Sequence, residues 1–464
     1  MQLPTPLPQA SQAARRIGHF FAVALFVGSL VGCAVIDPNH VLTRRLGNEA
    51  PADDAALDTG TRQAAYDFVW NRVNEAYVDP KFNGVNWAQA GQMHKDKILT
   101  AANDDIFWKN LDGMVAELGD AHTRVLSSKQ YAHDKKKQSN TVGLSLAQID
   151  NDILVLAVAK DSAAEKAGIV KGNKLLTIDL TEVTEWWRLQ SLKARKNSTE
   201  RARQKSVKRI LNNGDPELPS DTLVLGVERN DASQFQTTLT RSVLLRKDSL
   251  STQILPNGFG YMRLTGFDLR LMFDLLPAFN KVKDTPALVI DLRGNGGGAL
   301  KLATNMMEYL VQGQVNLGKK ITRTGSPPSL LMGLLPMGKM ELELAGVKAP
   351  YLAPVMVLVD GDSASASEFF SGSLQAIGRA QVVGETTCGC LLGYMGYANV
   401  PGGGALAYSE LDFAPLRGPR IEGYGVQPDH AVRPTRQDLI DGKDRALERA
   451  IEVLGASLQS KPKT

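Results

Sequence analysis

Apolar residues fall into a helical rhythm soon after Thr61. Tyr66, Val69, Val73 and Tyr77 recur at three- and four-residue spacing, which lines one face of a helix. Phe107, Leu111, Met114 and Leu118 repeat the pattern, so residues 60–130 are expected to form a small helical region that ends at "LGDAHTRV". The rhythm changes at "TVGLSLAQIDNDILVLAV", where apolar residues alternate or run together as they do in strands. A short helix in "KDSAAEKAG", a turn at Lys171-Gly172-Asn173, another strand, a basic helical run and "DTLVLGVERNDASQFQTTLTR" complete a second unit over 138–246. From about Ser251, strand, Gly-rich turn and helix recur through "ALVIDLRGNGGG", "APVMVLVDGDSASASEFFSGSLQAIG" and "AQVVGETTCG". That order predicts an α/β layered core over 250–456.

A chain of 464 residues is long enough for two or three such units. Its start does not read as fold. Arg15 and Arg16 precede an uncharged stretch from Phe20 to Ile36, and Leu30-Val31-Gly32-Cys33 inside it resembles the lipobox of bacterial lipoproteins. The resemblance implies a signal peptide over 1–32, a lipidated Cys33 and a tether over 33–59. It also implies a protein held in the cell envelope; Ala34 after the cysteine favours the outer membrane, facing the periplasm.

Net charge is +4, too small to make nucleic acid the main partner. The charge is uneven, however: Arg188 to Arg209 holds nine Lys or Arg against one acid, Glu200, and is expected to be a solvated helix face. Beyond Cys33 the cysteines are Cys388 and Cys390, separated by one residue; they make no disulfide framework, and a bond between them would close only a strained ring. Nor can two cysteines alone hold a structural zinc. No metal or organic cofactor is implied.

Candidate chemistry gathers at two Gly- or Ser-rich turns. Ser363, Ser365 and Ser367 lie where a buried-type strand passes into a helix, so any of them could cap that helix or expose a hydroxyl beside its unpaired amides. Gly296, Gly297 and Gly298 follow a second strand and allow a backbone to approach a substrate closely; they lack the Gly-Lys-Ser/Thr ending of a phosphate-binding P-loop. Gly143-Leu144-Ser145-Leu146, with "AAEKAGIVKGNKLLTID" after it, resembles the carboxylate-binding loop and following stretch of a PDZ domain, a module that adds an extended peptide to a sheet edge.

Taken in order, "GVNWAQ", "LGDAHT", this module, "DLRGNGGG", "SASASE", "GETTCG", "EGYGVQPD" and "GKDRALERAIEVL" resemble the tail-specific (C-terminal processing) and tricorn-core-like serine proteases over roughly 60–455. The resemblance implies an α/β fold with a crotonase-like ββα catalytic core, an inserted PDZ-like domain and an N-terminal helical region. Ser365 would be the nucleophile, with the amides of one glycine among 296–298, Gly297 being favoured, and of Ala366 as the oxyanion hole. The tail-specific branch takes its base from a lysine twenty-five residues further on. Here that position is Cys390, and no lysine occurs between Lys348 and Lys443. The tricorn-like branch uses a histidine ahead of the PDZ module, which is His122 here, and a late carboxylate, Glu422; its occasional serine beside the histidine is replaced by Ala121. Histidine suits the task because its ordinary pKa lets it accept and return a proton near neutrality. Glu368 and Arg293 are expected to order loops, His94, His133 and His430 to be surface groups, and Asp429 to serve a turn. The implied protein is an envelope serine endopeptidase acting on polypeptides. The alternative is a non-catalytic ligand-binding or PDZ adaptor protein on the same scaffold.

Overall fold

The computed structural model describes residues 56–135, 138–214, 220–245, 248–330, 335–336 and 338–459; Cys33, the leader and most of the tether lie outside them. Three helices open the described chain: α1 (Thr59–Ala76), α2 (Trp87–Leu99) and α3 (Asp104–Ala116). Each starts on a side-chain cap, Asp58, Asn86 and Asn103 respectively, which satisfies an amide that the helix leaves unpaired. The apolar residues that carry the sequence rhythm, among them Val69, Tyr77, Leu111 and Met114, are buried together with Leu406 and Tyr408 from late in the chain. A short strand, β1 (Arg124–Leu126), pairs antiparallel with Gly404–Ala407 and ties this region to the core.

The second unit is an antiparallel sheet of β2 (Leu144–Ile149), β3 (Asp152–Val158), β4 (Lys174–Ile178), β5 (Thr222–Glu228) and β6 (Gln234–Thr240), adjacent in chain order, with the two-residue strand Thr181–Glu182 added on β4. Between β4 and β5 lie α4 (Val183–Lys193) and α5 (Glu200–Asn213), the latter capped by Thr199. Val207 and Leu211 turn one face of α5 into the unit's apolar core. The opposite, basic face is not solvated as expected. Arg201 donates to the carbonyls of Thr387 and Tyr424, both at 2.6 Å, and Lys205 to that of Asp362 at 3.0 Å, while Lys208 pairs with the Asp362 carboxylate. The expectation fails because α5 lies against turns of the core that present acceptors; Arg188 and Arg203, away from those turns, stay exposed and pair with Glu185 and Glu200.

The third unit is built on a six-stranded sheet in the order β7 (Leu250–Ile254), β8 (Gly260–Leu264), β9 (Leu288–Asp291), β10 (Val355–Val359), β11 (Ala380–Gly384) and β12 (His430–Ala431). β7 runs antiparallel to β8 and all other neighbours are parallel. Every residue of β9 and β10 is buried, as expected of strands covered on both faces. One face packs on α6 (Leu275–Val282), α7 (Leu300–Glu308) and α8 (Ala366–Ala376), the other on α9 (Arg445–Gln459). Arg293 forks onto both Asp291 and Asp444, which pins the start of α9 to the carboxyl end of β9. The result is a mixed α/β core in which the Gly-rich and Ser-rich turns leave the carboxyl ends of adjacent parallel strands, where open α/β sheets bind ligands. Among the described residues no helix is long and apolar enough to cross a membrane.

Candidate active site

The three serines separate cleanly. Ser363 is fully buried and donates to the Leu292 carbonyl at 2.9 Å; Ser367 is fully buried and donates to the Asn295 carbonyl at 2.8 Å. Both hydroxyls therefore staple the Ser-rich turn to the Gly-rich turn, helped by Asp360, which accepts from the Gly294 amide at 2.9 Å. Ser365 alone is partly exposed, and it sits at φ +55, ψ −116, at the N-cap of α8. A non-glycine residue held there is strained, and such strain persists only where the surroundings over-determine it. Gly297 faces it so closely that a β-carbon added there would lie 2.7 Å from Ser365 Cβ and 2.9 Å from the Ala366 amide nitrogen.

The surroundings that hold Ser365 converge on one buried carboxylate. Glu368, fully buried in α8, accepts from the Ser365 amide at 3.0 Å, the Cys390 amide at 2.9 Å, the Gly389 amide at 2.6 Å and the Thr387 hydroxyl at 2.6 Å. Burial pushes the Glu368 carboxyl above its usual range, and these four donors pull it back. The Cys390 carbonyl in turn accepts from the Ser365 amide at 3.1 Å. Cys388 and Cys390 are joined by a disulfide, contrary to the expectation from their spacing. The bond is reachable because Gly389 between them takes φ +74 and leaves their Cα atoms 5.3 Å apart, an ordinary disulfide separation.

His122 arrives from the other side. Asp120 accepts from the amides of His122 at 2.7 Å and Thr123 at 2.6 Å, and also from the hydroxyl of Tyr77 at 2.8 Å, so one buried carboxylate shapes the whole turn. Ala121 packs on a small apolar cluster of Ala202, Ala364, Cys388 and Cys390, which brings the histidine turn against the residue that precedes Ser365. No hydrogen bond joins His122 to Ser365 or to Glu422 among the described residues, and His122 Nδ1 is buried without a partner. Burial holds the His122 imidazole down at about 4, Asp120 opposing and Arg124 and Lys205 adding to the effect.

Glu422 accepts from the amides of Leu391 at 2.5 Å and Leu392 at 3.0 Å. Burial pushes its carboxyl up to about 7; the Ser198 hydroxyl and the two amides oppose the shift, and Asp120 adds to it. Ser198 also accepts from the Ala121 amide at 3.2 Å, so it bridges Glu422 to the histidine turn. Of the glycine amides offered to an oxyanion, that of Gly297 is taken by Asn295 Oδ1 at 2.9 Å. At the PDZ-like loop, Gly143 N–H goes to Thr141 Oγ1 at 3.1 Å and Leu144 N–H to Asn212 Oδ1 at 2.8 Å, while Ser145 is exposed and Leu146 buried. Of the surface histidines expected, His133 is exposed, whereas His94 is partly buried and pairs with Glu117. Asp429 accepts from the Val382 amide at 2.7 Å. Sequence reasoning missed Ser198, Lys205 and Asp120. Only Asp120 left a signal, an acid two residues before His122.

Glu368→Gln places an amide NH2 against two of the four donors, whichever way it is turned. Leaving two buried N–H or O–H groups unpaired costs about 2–4 kcal/mol, read as a lowered urea midpoint. An unchanged midpoint contradicts the role given to Glu368.

The chain is similar to known peptidases. The model of peptidase family S41 matches residues 258–432, and that of the tricorn protease C1 domain matches residues 59–116. Relatives include carboxyl-terminal-processing peptidase 3 of Arabidopsis thaliana, 25% identical over 391 residues, covering 80% of this chain and 69% of the relative. The carboxyl-terminal-processing protease of Picosynechococcus sp. is 27% identical over 383 residues, covering 78% of this chain and 81% of the relative. The fold is similar to that of a photosystem II D1 C-terminal processing protease, with a TM-score of 0.54 and 24% identity over 85% of this chain and 97% of that one. The Gly-rich and Ser-rich turns thus lie inside the stretch that matches peptidase family S41, and the chain is a serine-type peptidase similar to the carboxyl-terminal-processing proteases.

Proposed function

We propose that the chain is a serine endopeptidase of the bacterial cell envelope that cleaves unstructured or C-terminally captured polypeptides, with Ser365 as nucleophile, His122 as proton acceptor and Glu422 as the carboxylate behind it. One observation carries this reading: of three neighbouring serines, two are buried and bonded to carbonyls, and the third is partly exposed on a strained turn at a helix N-terminus. Ser365 Oγ attacks the scissile carbonyl, His122 takes its proton and returns it to the leaving amine, and water releases the acyl group by the same route. The Ala366 amide, at the first turn of α8, faces the oxyanion. Glu422 acts on His122 through Ser198 and the Ala121 amide rather than by contact.

The core of 250–456 is read as crotonase-like, its strand–strand–helix units supporting that assignment, and 138–246 as PDZ-like. The edge strand β2 begins at Gly143-Leu144-Ser145-Leu146, and a captured carboxylate there displaces Thr141 Oγ1 and Asn212 Oδ1 from the first two amides. The helical region of 60–130 brings His122, and the leader of 1–32 with the tether of 33–59 brings lipid anchoring at Cys33.

Three outcomes test the reading. On an unfolded polypeptide substrate, Ser365→Ala lowers turnover by about 10³-fold or more; retained turnover sinks the proposal. Glu422 must be ionised while His122 is already neutral, so kcat/KM rises with pH through about 7. Glu422→Gln removes that limb, and a limb that persists contradicts the role of Glu422. In cells, Cys33→Ala abolishes incorporation of radiolabelled fatty acid, and undiminished incorporation rules out the anchor.

A further inference from the structure

We propose that Lys205, carried by α5 of the inserted unit, is a catalytic residue whose ammonium supplies the second donor to the oxyanion formed when Ser365 attacks. The inference rests on Ser365 being the nucleophile. A preorganised oxyanion site needs donors aimed at the place where charge develops. The Ala366 amide is one, and the Gly297 amide is committed to Asn295 Oδ1. Lys205 stands on the same glycine turn: its Nζ is 3.3 Å from where a β-carbon on Gly296 would lie, so a side chain there would crowd the ammonium.

What holds the ammonium is itself informative. Nζ donates to the Asp362 carbonyl at 3.0 Å, three residues before Ser365. One oxygen of the Asp362 carboxylate, Oδ2, is taken by Lys208, while Oδ1 is buried without a hydrogen bond, and Asp360 accepts from Gly294, Asp362 and Ser363. Among the described residues no carboxylate lies within ion-pair distance of Lys205, although an inward-facing ammonium normally requires one. An anion that forms only during reaction meets that need. The charges around Lys205 are Asp362, Asp360 and Glu368, which favour its protonation, and Lys208 and His122, which oppose it. Burial is the largest influence and lowers its pKa from the usual lysine range.

In the step itself, the Ser365 Oγ–C bond forms as the carbonyl π pair moves onto oxygen. His122 takes the serine proton, and the resulting O⁻ accepts from Ala366 N–H and Lys205 N–H. Collapse returns the pair, breaks the C–N bond and passes the proton from His122 to the amine. Lys205 stays protonated throughout, so activity falls as pH rises through its lowered pKa. A lysine acting as base would give the opposite slope.

The test measures kcat, KM and affinity for a peptide boronate, which forms a tetrahedral adduct on serine, in the full chain and in Lys205→Met. The expected loss is about 10²-fold in kcat with KM nearly unchanged, an equal loss in boronate affinity, and disappearance of the alkaline limb of the pH profile. Unchanged kcat and boronate affinity overturn the proposal. Should Lys205→Met fold poorly, the wild-type profile decides, because the absence of an alkaline limb also overturns it. If instead Ser365→Ala retains full activity, the nucleophile assignment fails and not the role of Lys205 alone.

Discussion

A single buried carboxylate, Glu368, sets the geometry on which the site depends. Four donors from two segments converge on it: the amide of the strained Ser365, and from 387–390 the Thr387 hydroxyl and two amides of the loop closed by the Cys388–Cys390 disulfide. Burying a carboxylate is costly unless its lone pairs are satisfied, and here each oxygen accepts two hydrogen bonds. The same bonds keep Ser365 in a backbone conformation that it would otherwise leave. An interaction that resembles an ordinary helix cap thus fixes both the exposure of one hydroxyl and the shape of the wall facing it.

Around that centre, each unit contributes something that the core cannot make alone. The N-terminal helices end in the Asp120-shaped turn that presents His122, and β1 fastens this turn to the core through Gly404–Ala407. The inserted unit sends Ser198 between Glu422 and the histidine turn, and it docks α5 on the Thr387 carbonyl through Arg201 and on the Asp362 carbonyl of the Ser-rich turn through Lys205. The polar contacts across these junctions are mostly side chains on backbone carbonyls, which specify one docking geometry more than they add stability. A site divided among three units is complete only when all three are seated.

Much of this was legible in the chain. Periodicity located the helical stripes of Tyr66 to Tyr77 and Phe107 to Leu118, and the buried β9 and β10, apolar but for Asp291, because burial leaves a direct mark on sequence. The nucleophile was narrowed to three serines by position, but choosing among them physically needed the carbonyls of Leu292 and Asn295, which are distant in sequence. The basic run from Arg188 to Arg209 misled because charge density does not reveal which face meets acceptors; α5 buries its cations' heads against turns formed more than 150 residues later. The disulfide was discounted on spacing, since the glycine conformation that permits it is a tertiary outcome. Ser198 lies in an unremarkable polar stretch and carries no pattern that marks it.

The central claim is that Ser365, and neither of its neighbours, is the nucleophile. Mapping the site of covalent attachment of a fluorophosphonate probe by peptide mass spectrometry, on folded and on urea-unfolded protein, tests it most directly. The account predicts one adduct, on Ser365, in the folded protein and none after unfolding, because reactivity comes from the strained turn and its donors rather than from serine itself. An adduct on Ser363 or Ser367, or no adduct on folded protein, contradicts it.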